Sequence, residues 1–280
     1  MDNTVTTLSV IQMRSLPDVE KNLTFIEEQL SCLSIKGENL VLLPECCLFF
    51  GGKDADQLAL AKATHVENNL IKQLASLAKK YKITLVAGSI PLLTEQGDKF
   101  TNSCCVFSAT GEQIARYDKL HLFDVAVDDN EKSYLESRYT AAGKSTAVVQ
   151  INDHINLGLS ICYDLRFPEL FRSLASQGAN IITVPSAFTK VTGEAHWQAL
   201  LQSRAIENQV YIVAAGQAGQ HANGRETWGH SMIISPWGEI ISSMAQERGS
   251  VSATFSLEQL QKIRKSMPVE AHNQFITKLK

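Results

Sequence analysis

Cys162 lies in the stretch NLGLSICYDLRFPELFR, where strand character gives way to helical character. Residues 156–161 are mostly apolar, with small side chains at Gly158 and Ser160, and read as a short buried strand. Beyond Asp164, Phe167, Leu170, Phe171 and Leu174 fall at i, i+3, i+4 and i+7, an apolar helical stripe. Pro168 suits the first helical turn, where its missing N–H costs nothing. A side chain at such a corner is held rigidly, beside backbone N–H groups that can face a developing negative charge. Cys162 can therefore act as a nucleophile, or it can be one more small buried residue, since free cysteine is among the most buried types. Glu45 and Lys119 occupy the same kind of place. The first follows the apolar run 40–43 and Pro44, and the second follows a strand-like run over 113–117. Strand ends at one edge of a sheet converge, so the three can share a cleft. A thiol with an ordinary pKa of about 8.5 is mostly protonated at neutral pH and needs a base or a nearby cation. Glu45 can take that proton, and Lys119 can stabilise both a thiolate and the oxyanion of a tetrahedral intermediate. Singly, a strand-end Glu or Lys is usually solvated or paired with the other.

The elements that must position these residues alternate between strand and helix. Strand-like runs cover 5–12, 40–43, 83–90, 103–108, 113–117, 148–149, 156–161, 180–184, 210–215, 232–235, 239–244 and 251–255. Leu23, Ile26, Leu30 and Leu33 mark a helix after Pro17, and Val66, Leu70, Ile71, Leu74, Leu77 and Ala78 mark another. Trp197, Leu200, Leu201 and Ala205 line a helix starting near Gly193, and 257–265 form a terminal one. Residues 49–56, 124–143 and 216–225 read as loops, and a loop as long as 124–143 is usually functional. No repeat, low-complexity tract or linker interrupts the pattern. Residues 1–280 are predicted to be a single domain, with 266–280 as a C-terminal arm too polar to fold alone.

Composition narrows the partners. Of 280 residues, 44% are hydrophobic and 20% charged, the balance of a globular chain. A net charge of −3 argues against nucleic acid or an anionic membrane as partner. No apolar run approaches the roughly 20 residues of a membrane span, and the N-terminus lacks a secretory signal, so cytoplasmic residence is expected. The six cysteines include two adjacent pairs, Cys46–Cys47 and Cys104–Cys105, and the seven histidines are scattered. Neither set has metal-ligand spacing, so reduced thiols and no bound metal are expected.

The blocks LLPE around Glu45, YDKLHLFD around Lys119 and ICYDLRFPELFR around Cys162 together resemble the Glu-Lys-Cys signature of the nitrilase superfamily of carbon–nitrogen hydrolases. The resemblance continues through VPSAFTKVTGEAHWQALLQSRAIENQVYIVAA and WGHSMIISPWGEII, nearly the whole chain. It implies the α/β fold of that family, a four-layer α-β-β-α sandwich whose subunits pair into at least a homodimer. It also implies an acyl-enzyme on Cys162, an amide substrate, and no cofactor. The family commonly has a second glutamate in the loop after the lysine. Leu-Glu-Ser at 135–137 makes Glu136 the candidate, with Glu131 its rival. The branch resembled most contains deaminated glutathione amidase and ω-amidase, which act on 2-oxoglutaramyl amides. The stretch AAGQAGQH resembles the former, whose reaction gives 2-oxoglutarate and cysteinylglycine. Where the family has glycine-proline, this chain has Gly193-Glu194, which is expected to bring an extra negative charge near the cleft.

Arg166 is the candidate for binding a substrate carboxylate, because its planar fork suits bidentate recognition. It can instead pair with Glu169 or Asp164, or pack over an aromatic ring. Tyr163 is expected to offer its backbone N–H, and His196 and Trp197 to shape the pocket, although such a Trp is more often core. Two rival readings remain. A papain-like hydrolase needs a histidine base, and His121, His196 and His230 lack a recognisable Cys–His signature. A non-catalytic dimeric scaffold is expected to lack one of the three catalytic types, and none is lacking.

Overall fold

The computed structural model describes residues 5–34, 37–127 and 133–280. The first half comprises β1 (Thr6–Gln12), α1 (Val19–Cys32), β2 (Glu38–Leu42), α2 (Asp54–Thr64), α3 (Asn69–Tyr81), β3 (Thr84–Val86), β4 (Ile90–Leu93), β5 (Phe100–Phe107) and β6 (Gln113–Asp118). After a small hairpin of β7 (Asp124–Ala126) and β8 (Ser133–Leu135) come β9 (Val148–Asn152), β10 (Ile155–Leu159), α4 (Pro168–Ser176), β11 (Ile181–Ser186), α5 (Lys190–Asn208) and β12 (Tyr211–Gly216). The chain ends through β13 (Ala218–Gln220), β14 (Glu226–Trp228), β15 (Met232–Ile234), β16 (Ile240–Ser243), β17 (Gly249–Thr254), α6 (Leu257–Ser266) and α7 (Val269–His272).

Two mixed sheets result, ordered β17-β1-β2-β3-β5-β4 with β6 beside β5, and β16-β15-β12-β11-β10-β9. Side chains alternate between faces along each strand. In the first sheet Leu8, Val10, Leu40, Leu42, Cys104 and Val106 join Leu157 and Leu159 of the second sheet in one core. Their neighbours Ile11, Val41, Leu43, Cys105 and Phe107 pack instead with Ile26 and Leu30 of α1 and Leu70 and Leu74 of α3. On the far side, Phe171 and Leu174 of α4 and Trp197 and Leu201 of α5 cover the second sheet. Gly158 permits this: a Cβ there would press on the Leu174 and Ile182 side chains at 3.1–3.2 Å. The architecture is the expected four-layer α-β-β-α sandwich.

Several sequence expectations are corrected. Residues 54–64 form α2, whereas the chain up to residue 56 reads as loop and the next helix as starting with Val66. Among the described residues of α2 only Ala61 is a buried apolar side chain, so the apolar stripe that reveals a helix is missing. Val66 is 87% exposed, and α3 begins only after Asn68, whose φ of +52° breaks the helical path. The run 83–90 is not one strand. It divides into β3 and β4 at Gly88, where φ is +54° and a Cβ would lie 1.9 Å from the Pro44 carbonyl oxygen. The loop 216–225 is partly the hairpin β13–β14, and the loop 124–143 contains β7, β8 and a 3-10 turn over Glu136–Arg138. Glu131 lies outside the described residues. In the arm Phe275, Ile276 and Leu279 are exposed.

Candidate active site

Three strand ends deliver the reactive groups. The chain leaves β2 through Pro44 to Glu45, whose carbonyl accepts the Gln217 side-chain amide at 2.9 Å. Lys119 leaves β6 with its N–H donating to Asn102 of β5 at 3.0 Å and its carbonyl accepting the Gly143 N–H at 2.8 Å. Gly143 cannot be larger, since a Cβ would sit 2.0 Å from the Asp118 carbonyl oxygen. Cys162 opens a 3-10 turn (Cys162–Arg166) after β10, with φ at +49°, a left-handed conformation costly for a non-glycine residue. Two buried side chains over-determine that turn. Asp164 accepts from the Ile161 N–H at 2.9 Å, the Tyr117 hydroxyl at 2.7 Å and the His121 N–H at 3.1 Å. Its carboxylate also lies 2.6 Å from His121 Nδ1, and the His121 ring stacks on Phe167. Arg204 donates twice to the Leu165 carbonyl, at 3.1 and 2.8 Å. The YDKLH segment that carries Lys119 is thus tied directly to the turn that carries Cys162.

At the centre, Lys119 Nζ donates to Glu45 Oε1 at 2.9 Å and to both Glu136 oxygens at 2.9 and 3.2 Å. Asn102 Nδ2 bridges the two carboxylates, at 3.0 Å from Glu45 and 3.4 Å from Glu136. Glu45 Oε2 accepts the Ala187 N–H just beyond β11 at 2.9 Å, and Glu136 Oε2 accepts the Phe123 N–H at 2.6 Å. Burial opposes the charge on Lys119, but Glu136 and Glu45 outweigh it and hold its pKa well above the usual lysine range. Burial pushes the Glu136 carboxyl up against the pull of Lys119. The Cys162 thiol is also pushed up, by burial first and then by the charge and hydrogen bonding of Glu45, with Lys119 drawing it down. A buried thiol of this kind rests protonated and needs a base at the moment of attack.

Glu45, Lys119, Glu136 and Cys162 line one cleft, together with Tyr163 and Arg166. His196 is exposed on α5 and outside the cleft lining, with Nδ1 3.3 Å from Arg166 Nη1. Glu194 is likewise exposed and outside the lining, so the extra negative charge expected there does not enter the cleft. Trp197 is core, packed on Phe188 with its indole N–H donating to the His230 carbonyl. Among the described residues no histidine lines the cleft, which removes the geometric basis for a Cys–His pair. No group of His, Cys, Asp and Glu among them is arranged to hold a metal. Sequence reasoning missed Asn102, the Ala187 N–H and the Asp164–His121 tie. An asparagine in the strand FTNSCCVF was the available signal for the first, because a buried amide needs partners.

A fold with two sheets meeting at a Cys, Lys and paired-Glu cleft defines a class. The model of the carbon-nitrogen hydrolase family matches residues 7–265, and the chain belongs to that family. It is 40% identical over 270 residues to a deaminated glutathione amidase of Synechocystis sp. PCC 6803, covering 96% of this chain and 98% of that one. A deaminated glutathione amidase of Yersinia enterocolitica is 40% identical, at 97% and 94% coverage. Among solved structures, the Caenorhabditis elegans NitFhit protein superposes with a TM-score of 0.85 at 32% identity, covering all of this chain and 68% of that one.

Proposed function

We propose that this enzyme hydrolyses the amide of deaminated glutathione, releasing cysteinylglycine and then 2-oxoglutarate. The observation that carries the chemistry is the Glu45–Lys119–Glu136 chain of contacts in the cleft lined by Cys162. Cys162 Sγ attacks the amide carbonyl carbon while Glu45 takes the thiol proton. An ammonium has three donors. One Lys119 N–H serves Glu45 and a second is shared between the two Glu136 oxygens, which together hold the ammonium in place and leave its third N–H for the oxyanion. Glu45 then hands its proton to the leaving nitrogen, the C–N bond breaks, and a thioester remains on Cys162. Water attacks the thioester, Glu45 takes a proton from it and returns one to sulfur, and the acid departs. Arg166 supplies the cation for the 2-oxo acid end. Support for the substrate comes from the two amidases at 40% identity. The same reading makes the protein a cytoplasmic homodimer; its six cysteines are free thiols, and no helix among the described residues is long and apolar enough to cross a membrane.

The test is 2-oxoglutarate release from a panel of amides, with acid-quenched enzyme mapped by mass. Deaminated glutathione should have the highest kcat/KM, and a 2-oxoglutaryl adduct should sit on the Cys162 peptide and be absent from Cys162→Ser. A preference for 2-oxoglutaramate would make this an ω-amidase instead. An adduct on Cys46, or on no cysteine, would overturn the mechanism.

A further inference from the structure

Among the described residues, the cleft holds three cationic side chains besides Lys119: Lys53, Arg166 and Arg225. The lining carboxylates among the described residues are Glu45, Glu136 and Glu226, the last paired with Lys190 at 3.4 Å. The two guanidiniums are not neighbours. Arg166 lies over the Tyr163 ring at 5.9 Å and over Phe188 at 5.3 Å. Tyr163 meets Phe123 edge-on at 5.1 Å, Phe123 meets Tyr134 at 5.0 Å, and Arg225 lies over Tyr134 at 5.0 Å. A row of three aromatic rings thus forms part of the cleft wall, and each end of it carries a guanidinium.

The Arg225 end is built with care. Arg225 closes the turn between β13 and β14, where its carbonyl accepts the His221 N–H at 2.9 Å and its N–H donates to Asn223 Oδ1 at 3.2 Å. Asn223 Nδ2 in turn donates to the Gly52 carbonyl at 3.1 Å. That contact brings the turn against the segment that carries Lys53, the residue after Gly52. Gly52 has little room to change, since a Cβ would lie 2.8 Å from an Asp56 carboxylate oxygen and 3.1 Å from the Phe49 ring. The loops that carry Arg225 and Lys53 are in this way held together at one end of the aromatic row, while Arg166 stands at the other.

One carboxylate does not require two separated cationic groups; a molecule charged at both ends does. We propose that Arg225, assisted by Lys53, binds a carboxylate on the amine-side fragment, so that the enzyme selects amides with an anionic group on each side of the scissile bond. This rests on the amidase reading above and specifies it further: in deaminated glutathione that second anion is the terminal glycine carboxylate, which 2-oxoglutaramate lacks. A guanidinium–carboxylate pair adds geometric specificity as well as energy.

The experiment compares deaminated glutathione with its glycinamide analogue, in which that carboxylate alone is neutralised, and with 2-oxoglutaramate, following 2-oxoglutarate release. In the wild-type enzyme the free acid should exceed the glycinamide in kcat/KM by about 10- to 100-fold, the worth of a hydrogen-bonded charge, chiefly through KM. In Arg225→Gln the ratio between the two should fall to near one, and in Lys53→Gln it should fall partway. Arg225→Lys should restore part of the preference. Because the readout is a ratio measured on one preparation, partial misfolding does not alter it. Equal kcat/KM for acid and glycinamide in the wild type, or an unchanged ratio in Arg225→Gln, would overturn the subsite while leaving the amidase reading intact. Failure of all three compounds to release 2-oxoglutarate would overturn both.

Discussion

Lys119 is held between two carboxylates with 2% of its side chain left to water, and what it cannot do narrows its role in the proposed reaction. A lysine whose pKa lies well above its usual range is not a proton shuttle near neutral pH, and Glu45, the carboxylate that hydrogen-bonds the Cys162 thiol, accepts its proton in the proposed reaction. Glu45 has two opposed effects on Cys162. Its negative charge raises the thiol pKa, while its oxygens offer the proton somewhere to go. Glu45→Gln separates them. If a preformed thiolate were the reactive species, removing the charge would speed alkylation of Cys162 by iodoacetamide at pH 7. With Glu45 as base, alkylation should slow, and turnover should fall by about 10²- to 10⁴-fold, the range for general acid–base catalysis. Faster alkylation in Glu45→Gln would assign the proton elsewhere. Glu45, Lys119 and Cys162 were legible in the sequence because each follows a strand and carries a reactive group. Asn102, Asp164 and Ala187 were not, because their importance lies in hydrogen bonds to residues 34 to 142 positions away. Periodicity reports which face a residue occupies, not which distant atom it meets.

The elements around the cleft depend on a buried histidine. His221 packs edge-on against Phe50 at 4.5 Å, and its ring nitrogens lie 3.3 Å from the Ser15 carbonyl and 2.7 Å from Thr227 Oγ1. It thereby joins the loop after β2 to the hairpin β13–β14. Burial lowers its pKa from 6.5 to about 4. An unfolded histidine takes a proton near pH 6.5, whereas the folded one resists until about pH 4. Between those values the unfolded state binds more protons, so stability is full above pH 6.5 and falls as the pH drops through the window. At pH 5 the loss is about 2 kcal/mol. Urea denaturation at pH 8 and pH 5 should show that decrement in the wild type and not in His221→Asn; parallel pH dependences would refute it. The same hairpin shows why element reading stopped short. β13 and β14 have three residues each, too few for alternation to register, and sit in a segment rich in glycine. The long strands and α1, α3 and α4 were legible because each carries an apolar face of several residues.

At the scale of the whole molecule, the unexplained feature is apolar surface. The family model stops at residue 265, and the arm beyond it exposes Phe275 and Ile276 by more than four-fifths and Leu279 by half. On the outer helical layer Ile206 of α5 is 53% exposed beside the turn bearing Trp237, itself 60% exposed, and a Cβ on Gly238 in that turn would lie 2.6 Å from the Ile206 side chain. Single exposed apolar residues are ordinary, but adjacent large ones mark a contact surface. In the proposed homodimer, a two-fold axis that pairs the copies through these side chains would cover them. The proposed homodimer would then bury a standard interface of about 1,600 Å² or more. Sedimentation should give a dimer at micromolar concentration, and Phe275→Asp with Ile276→Asp should raise its dissociation constant at least about 100-fold, since two apolar side chains of roughly 1.5–3 kcal/mol each are lost from each copy's side of the interface. A wild-type monomer with full activity at that concentration would reject the dimer, and an unchanged dissociation constant in the double variant would remove the arm from it.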